Sequence, residues 1–478
     1  MSDITKKKQT SSAVVAKAGI WYTICNFLFR GMAFITTPIF TRLLTKAEVG
    51  AFSNYTSWIA ILTVLTSFDF AQSIIRSKLE HEDDMDCYVW SILSFTSLST
   101  LLVYGIVCLF PAFFVKLFQI DMKYIHVMFL YLLVSPAYQM LITKHRAFYK
   151  YKMFVALTGI MLVSSTLLSL VMVLLMQDKL AGRILGYYLP FIAISCVMYV
   201  VLAQKGKRIN TAYWKYACVI CLPLVPHVLS LILLSSADKI LLTQFHGEEV
   251  TAIYSIAYSC YHITTILFDS VNKAWAPWLL ESLHNQRYQD IRKVSKIYVA
   301  VFVSVIVIVL MLVPELILIL GGRQYMGAVY CLPPLITSCV FQLVYTMYVN
   351  VEFYKKQTWG VAPATIFATL INICLDLYLV PRYPEQCHVI TAYTTLAGFV
   401  VLFVLHYFLV KRMNMAYIFD IKYMLIILLF TMTISGIMNL LYAHTLIRYT
   451  ITFLYGLLCC YVVFVNREKI LKLLKKKK

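Results

Sequence analysis

Apolar runs of about twenty residues recur from one end of this 478-residue chain to the other. Each is long enough to cross roughly 30 Å of hydrocarbon as a helix. A soluble core has no room for so many helices that are apolar all round. Fourteen runs are read, near 18–40, 49–75, 88–114, 124–143, 153–176, 184–203, 216–237, 251–272, 297–320, 328–351, 359–380, 389–410, 421–441 and 446–466. Charged residues make up only 13% of the chain, about half the share of an ordinary soluble domain. The connections are short, so the expected fold is an all-α polytopic membrane protein of about fourteen transmembrane helices.

A formal net charge of +20 raises the question of nucleic acid. Sorted by loop, thirty Lys and Arg share a side with the N-terminus and nine lie on the other. The positive-inside rule then places both termini in the cytoplasm, which an even number of spans satisfies. The basic excess is topological and needs no nucleic acid; the C-terminal KILKLLKKKK is expected to lie against anionic membrane lipid. The polar first seventeen residues show no A-x-A-like site, so no cleaved signal peptide is expected. Thirteen cysteines are scattered, and the isolated Cys218–Cys221 CxxC reads as structural.

The stretch LLTKAEVGAFSNY at 43–55 nearly recurs as LLTQFHGEEVTAIY at 241–254. Further along, Phe68-Asp69 matches Phe268-Asp269, Pro111 matches Pro314 and Gln139 matches Gln342, all at offsets near 200. The ordered set indicates a duplicated unit. Six spans separate equivalent positions, so the copies share one orientation, an arrangement in which transporters place their substrate path between lobes. The expected organisation is a tail (1–17), an N-lobe (18–203), a cytoplasmic linker (204–215), a C-lobe (216–410), two added helices (411–466) and a basic tail (467–478).

Charges inside the spans are the candidate functional residues, because burying them in lipid is costly unless they face a partner or water. Arg30 lies mid-span and reads either as a salt bridge to an acid such as Asp69 or as a receptor for a phosphate-like anion. The repeat carries Arg30 onto His227 or Val228. His227 follows Pro223 and Pro226, which interrupt the helix, and a broken helix is tolerated beside protein or a wet cavity. His227 and His262 could each carry a proton or contact substrate, or be packing histidines. Asp69 and Asp269 are repeat partners; Lys273 stands one turn after Asp269, so local neutralisation is the plainer reading there. Asp376 and Glu315 fall near outer span ends, where hydration is expected. The HEDDMD stretch (His81–Asp86) fits a loose acyltransferase pattern but sits in a short acidic loop. Nucleotide-binding, zinc-protease and dinucleotide motifs are missing.

These residues carry a resemblance. GIWYTICNFLFRGMAFITTPIFTRLLTKAEVGAFSNYTSW (19–58), ADKILL (237–242), IYSIAYS (253–259), NKAWAPW (272–278) and VPELILILGG (313–322) resemble the lipid-linked oligosaccharide flippases of the polysaccharide transporter family. That family sits within the multidrug/oligosaccharidyl-lipid/polysaccharide exporter superfamily. The resemblance spans roughly 15–410. It implies two six-helix lobes around a cationic central cavity, plus two C-terminal helices, working by alternating access in the bacterial cytoplasmic (inner) membrane. The implied substrate is an undecaprenyl-diphosphate-linked sugar repeat moved to the outer leaflet for O-antigen- or capsule-type polysaccharide. Arg30 and His227 are then the expected diphosphate contacts, with Asp69, His262, Asp269 and Lys273 as coupling or gating residues. No catalytic residue, metal or cofactor is expected, though a proton or sodium gradient could drive the cycle; polymerase and chain-length proteins are the implied partners. The alternatives are a drug or metabolite antiporter of the same superfamily, a membrane polymerase or ligase, and a non-transporting scaffold.

Overall fold

A computed structural model describes residues 21, 25, 31–32 and 34–465. Arg30 and the two tails lie outside the described residues. After a helical stretch at 34–43 come α1 (Lys46–Ser67), α2 (Ser73–Glu80), α3 (Met85–Leu109), α4 (Pro111–Phe118), α5 (Met122–Ala147), α6 (Tyr151–Leu175), α7 (Lys179–Gly206), α8 (Thr211–Cys221) and α9 (Val225–His246). There follow α10 (Glu248–His284), α11 (Tyr288–Met311), α12 (Val313–Leu320), α13 (Leu332–Tyr354), α14 (Val361–Leu379), α15 (Cys387–Arg412), α16 (Ile421–Leu441) and α17 (Thr445–Val465). No strand occurs among the described residues.

Eleven helices among the described residues are long and apolar enough to cross a membrane, each at one of the expected spans. Of the other three, the first begins outside the described residues. The run 251–272 lies within the 37-residue α10, and the last falls in α17, whose apolar stretch Thr445–Tyr461 is shorter. The order long, short, long, long, long occurs twice, as α3–α7 and as α11–α15. Its short members, α4 and α12, are both eight residues with proline in the first turn, where the missing N–H costs no helical bond. Pro111 and Pro314 thus occupy matching places.

The chain forms two compact units, 1–252 and 253–478, dividing in the first turns of α10. In the first, the repeated LLT-x-x-E-V phrase is a helix start. Thr45 caps α1: its hydroxyl accepts from the Glu48 N–H at 3.3 Å, and the Glu48 carboxylate accepts from the Thr45 N–H at 2.7 Å, a reciprocal capping box. Gly50 lets α1 approach the start of α10, since a Cβ there would sit 1.8 Å from the Glu248 carbonyl oxygen. α6 and α7 form an intimate pair in the same way: a Cβ on Gly186 would stand 2.4 Å from Ser169 Cα, and one on Gly182 2.7 Å from the Met172 carbonyl. The GRILG stretch is therefore a close-approach face of the kind small residues permit. In the second unit α13 is the most enclosed helix, packed by α11, α15 and α16.

Four expected spans are not continuous helices: 88–114 and 297–320 break at Phe110 and Leu312, just ahead of the short α4 and α12, and two more break elsewhere. The run 49–75 breaks after Ser67, where Phe68 and Asp69 both adopt left-handed backbone (φ 50° and 52°). The run 216–237 breaks between Cys221 and Val225, at the predicted Pro223.

Candidate functional site

The break in the second span is built rather than frayed. Two successive non-glycine residues with positive φ are unfavourable, and such strain persists only where the surroundings over-determine it. The surroundings here are aromatic: Phe68 packs on Phe70 and Phe95, with ring centroids 5.7 and 5.9 Å away, and Phe95 meets Trp214 at 5.3 Å. The freed backbone groups are matched. The Phe68 N–H donates to the Val64 carbonyl at 2.9 Å, and the Ser73 hydroxyl to the Phe70 carbonyl at 2.6 Å. The Asp69 carbonyl accepts from the Gln72 N–H at 3.0 Å and from Cys221 Sγ at 3.7 Å. Cys221 is the last residue of α8, so the break after α1 meets the break after α8. Each break adjoins a helix that is by itself long enough to cross a membrane, α1 before the first and α9 after the second.

Asp69 is half-buried. Among the described residues it has no ion-pair partner, and Arg76, seven residues on, pairs instead with Glu80 at 3.4 Å. His227 is half-buried in the first turn of α9, directly after the break. Arg30, the expected anion receptor, lies outside the described residues.

In the second unit the remaining candidates ride on one unbroken helix. His262, Asp269 and Lys273 are spaced by seven and four along α10, which places them on one face. His262 is exposed, with its ring edge-on to Tyr258 at 5.1 Å; Asp269 is half-buried and Lys273 exposed. The Phe-Asp pair that sits at a break in the first copy therefore sits inside a continuous helix in the second.

One expectation is corrected and another extended. Asp376 is not hydrated: it is fully buried, because α14 continues past it and turns it onto α15, where it accepts a short hydrogen bond from the Thr394 hydroxyl. Glu315 keeps 30% of its side chain exposed at the start of α12, but it is ion-paired as well as hydrated. Arg448 of α17, 2% exposed, donates to both its oxygens at 2.5–2.6 Å, and Tyr449 adds a hydroxyl at 2.7 Å. A third cluster was missed. His406 Nδ1 and Glu352 Oε1 are 2.7 Å apart and both side chains are buried. A histidine within an apolar span was the available signal; Glu352 falls one residue past its expected span and read as loop. The HEDDMD stretch is structural: Asp84 accepts from the Tyr213 hydroxyl at 2.8 Å, Asp86 from Lys144, and the His81 ring packs on Tyr213 and Tyr216.

Among known proteins, residues 15–283 match the family described as polysaccharide biosynthesis protein. An Lsg locus protein of Haemophilus influenzae is 22% identical over 155 residues, 32% of this chain and 38% of that relative, so the match spans well under half of its length. Among solved structures, the lipid II flippase MurJ in its inward closed conformation is similar at TM-score 0.68 and 14% identity, over 94% of this chain and 100% of that one. An inward-facing multidrug resistance MATE family transporter of the MOP superfamily is similar at TM-score 0.54 and 14% identity, over 84% and 98%. Likeness at these identities establishes the fold, while the family match takes in more than half of the chain. This multi-pass membrane protein has the fold shared by MurJ and MATE transporters, and it belongs to the polysaccharide biosynthesis protein family.

Proposed function

We propose that the chain is a flippase that moves undecaprenyl-diphosphate-linked oligosaccharide repeats from the inner to the outer leaflet of a bacterial cytoplasmic membrane, for surface polysaccharide assembly. The observation that carries this reading is the near-complete coverage of a lipid II flippase fold by a polysaccharide biosynthesis family chain. Transport, not bond chemistry, is the activity.

The physics suits such a substrate. Each CH2 of a prenyl tail gains about 0.8 kcal/mol in lipid, so the tail stays in the bilayer throughout. Only the sugar-diphosphate head needs a polar route. For a head of charge about −2, an inside-negative potential of about 100 mV favours export by roughly 4–5 kcal/mol. In this reading Arg30 and His227 hold the diphosphate, and the Asp69 break is a hinge of alternating access. Asp69, His262, Asp269 and Lys273 carry coupling or gating, with a proton or sodium gradient as the further drive. Both termini are cytoplasmic, and polymerase and chain-length proteins receive the product.

The test is rescue of glycan export in a flippase-deficient strain, with the leaflet of the lipid-linked repeats measured after depletion. Cytoplasmic-leaflet accumulation that this chain relieves supports the reading; no relief at normal protein level overturns it. The MATE likeness favours one second reading, a drug or metabolite antiporter. Drug efflux without glycan rescue selects it.

A further inference from the structure

Arg183 is the fifth residue of α7 and its guanidinium is enclosed by rings. The Phe40 centroid lies 3.5 Å from Cζ, Phe52 4.4 Å and Tyr187 5.5 Å. Phe40 is itself buried in a small apolar cluster with Leu44 and Val173. Nη1 donates to the hydroxyl of Ser169 on α6 at 2.7 Å, and Ser169 is fully buried. Gly182 and Gly186, flanking Arg183, allow the helix approach that makes this reach possible.

Among the described residues no carboxylate pairs with Arg183, and Ser169 is its only hydrogen-bond acceptor. Aromatic faces offset part of the cost of desolvating a cation, but they bring no negative charge. The in-plane donors Nε and Nη2 stay without an acceptor among the described residues, and the residue as a whole is half-buried. An arginine so placed in a span calls for an anion or water from outside the protein. Its flat fork matches phosphate oxygens two at a time. One turn earlier on the same face, exposed Lys179 has its ammonium 3.0 Å from the Leu43 carbonyl, with further donors to spare. Two cations one turn apart suit a diphosphate better than a singly charged phosphodiester.

We propose that Arg183, with Lys179 beside it, is a diphosphate-binding site for the lipid-linked substrate, separate from Arg30; the choice of ligand rests on the flippase reading. The full-length protein in phosphatidylcholine nanodiscs is titrated with geranylgeranyl diphosphate, with geranylgeraniol as the tail-only control and phosphatidylglycerol as competitor. Arg183→Gln weakens diphosphate binding about tenfold or more and leaves geranylgeraniol binding unchanged. Arg183→Lys keeps the charge, loses the fork, and weakens it about threefold or more; it decides the matter should the Gln variant not fold. Diphosphate affinity within twofold of wild type in the folded variants overturns the site. So does a wild type that does not bind the diphosphate, or equal competition by phosphatidylglycerol, which marks an ordinary phospholipid contact. Glycan rescue by the wild type together with unaltered variant binding sinks this site alone; Arg183-dependent binding without rescue sinks the flippase reading alone.

Discussion

His406 on α15 and Glu352 on α13 are hydrogen-bonded at 2.7 Å, at 1% and 0% side-chain exposure, with the Tyr345 ring stacked on the imidazole at 5.5 Å. The second carboxylate oxygen, Oε2, is buried with no partner among the described residues. A buried polar pair stabilises little net but is expensive to split. Glu352→Leu, which orphans the imidazole, is expected to cost about 3–5 kcal/mol, and His406→Leu, which orphans the carboxylate, a similar amount. The double change to leucine should cost less than either single substitution. Denaturant unfolding of the four proteins in one detergent checks this, and additive losses would rule out the coupling.

Arg448 anchors the last helix. Its side chain bonds the Met311 carbonyl at 2.5 Å as well as both oxygens of Glu315, so α17 is tied to the junction of α11 and α12. Lysine has one charge centre and cannot reproduce the fork. Arg448→Lys is therefore expected to lose most of what Arg448→Ala loses, at least about 2 kcal/mol. Thermal melting of both variants is the measurement.

Asp420 caps α16 at the foot of α11. The Lys296 ammonium lies 2.7 Å from its carboxylate, the Tyr423 N–H donates at 3.3 Å, and the Arg292 guanidinium stands at 3.4 Å. Chiefly the Lys296 bond, then the Tyr423 N–H, holds this carboxyl down at about 2. A lowered folded-state value means the stabilisation is complete above the ordinary aspartate value near 4. It disappears as pH falls from about 4 to about 2. Melting temperature against pH should lose part of its acid-side slope in Asp420→Asn.

Glycine spacing gives a signed comparison. Ala at Gly50 or Gly186 pushes a methyl into backbone at 1.8 or 2.4 Å, and overpacking of that kind costs about 1–3 kcal/mol. Gly105, in α3, has nothing within 4 Å of the same position, so Gly105→Ala should stabilise by about 0.5–1 kcal/mol. Melting temperatures that shift the same way in all three would contradict the packing described.

Spans, the repeat and the break at Pro223 were legible because each follows from one local property: apolar length, matched phrases, or a residue without an N–H. The break at Phe68-Asp69 was not, because neither residue type demands left-handed backbone; rings from α3 and α8, distant in sequence, hold it there. The partners of Asp376 and Glu315 were missed for the same kind of reason. Each is satisfied by a helix elsewhere in the chain, through Thr394 and Arg448, and distance from a span end cannot reveal that. Arg183 falls in the short gap between the runs 153–176 and 184–203, and nothing local announces that Phe40 and Phe52 close over it.

The duplicated Phe-Asp pair gives one substitution opposite signs in its two settings. At Asp69 the backbone already lies where glycine is comfortable, so Asp69→Gly relieves torsional strain. At Asp269, inside the continuous α10, the same change removes side-chain restraint from a helix and costs up to about 1 kcal/mol. Ancestral symmetry survives in the letters while the backbone of the two copies has diverged, bent sharply in one and straight in the other.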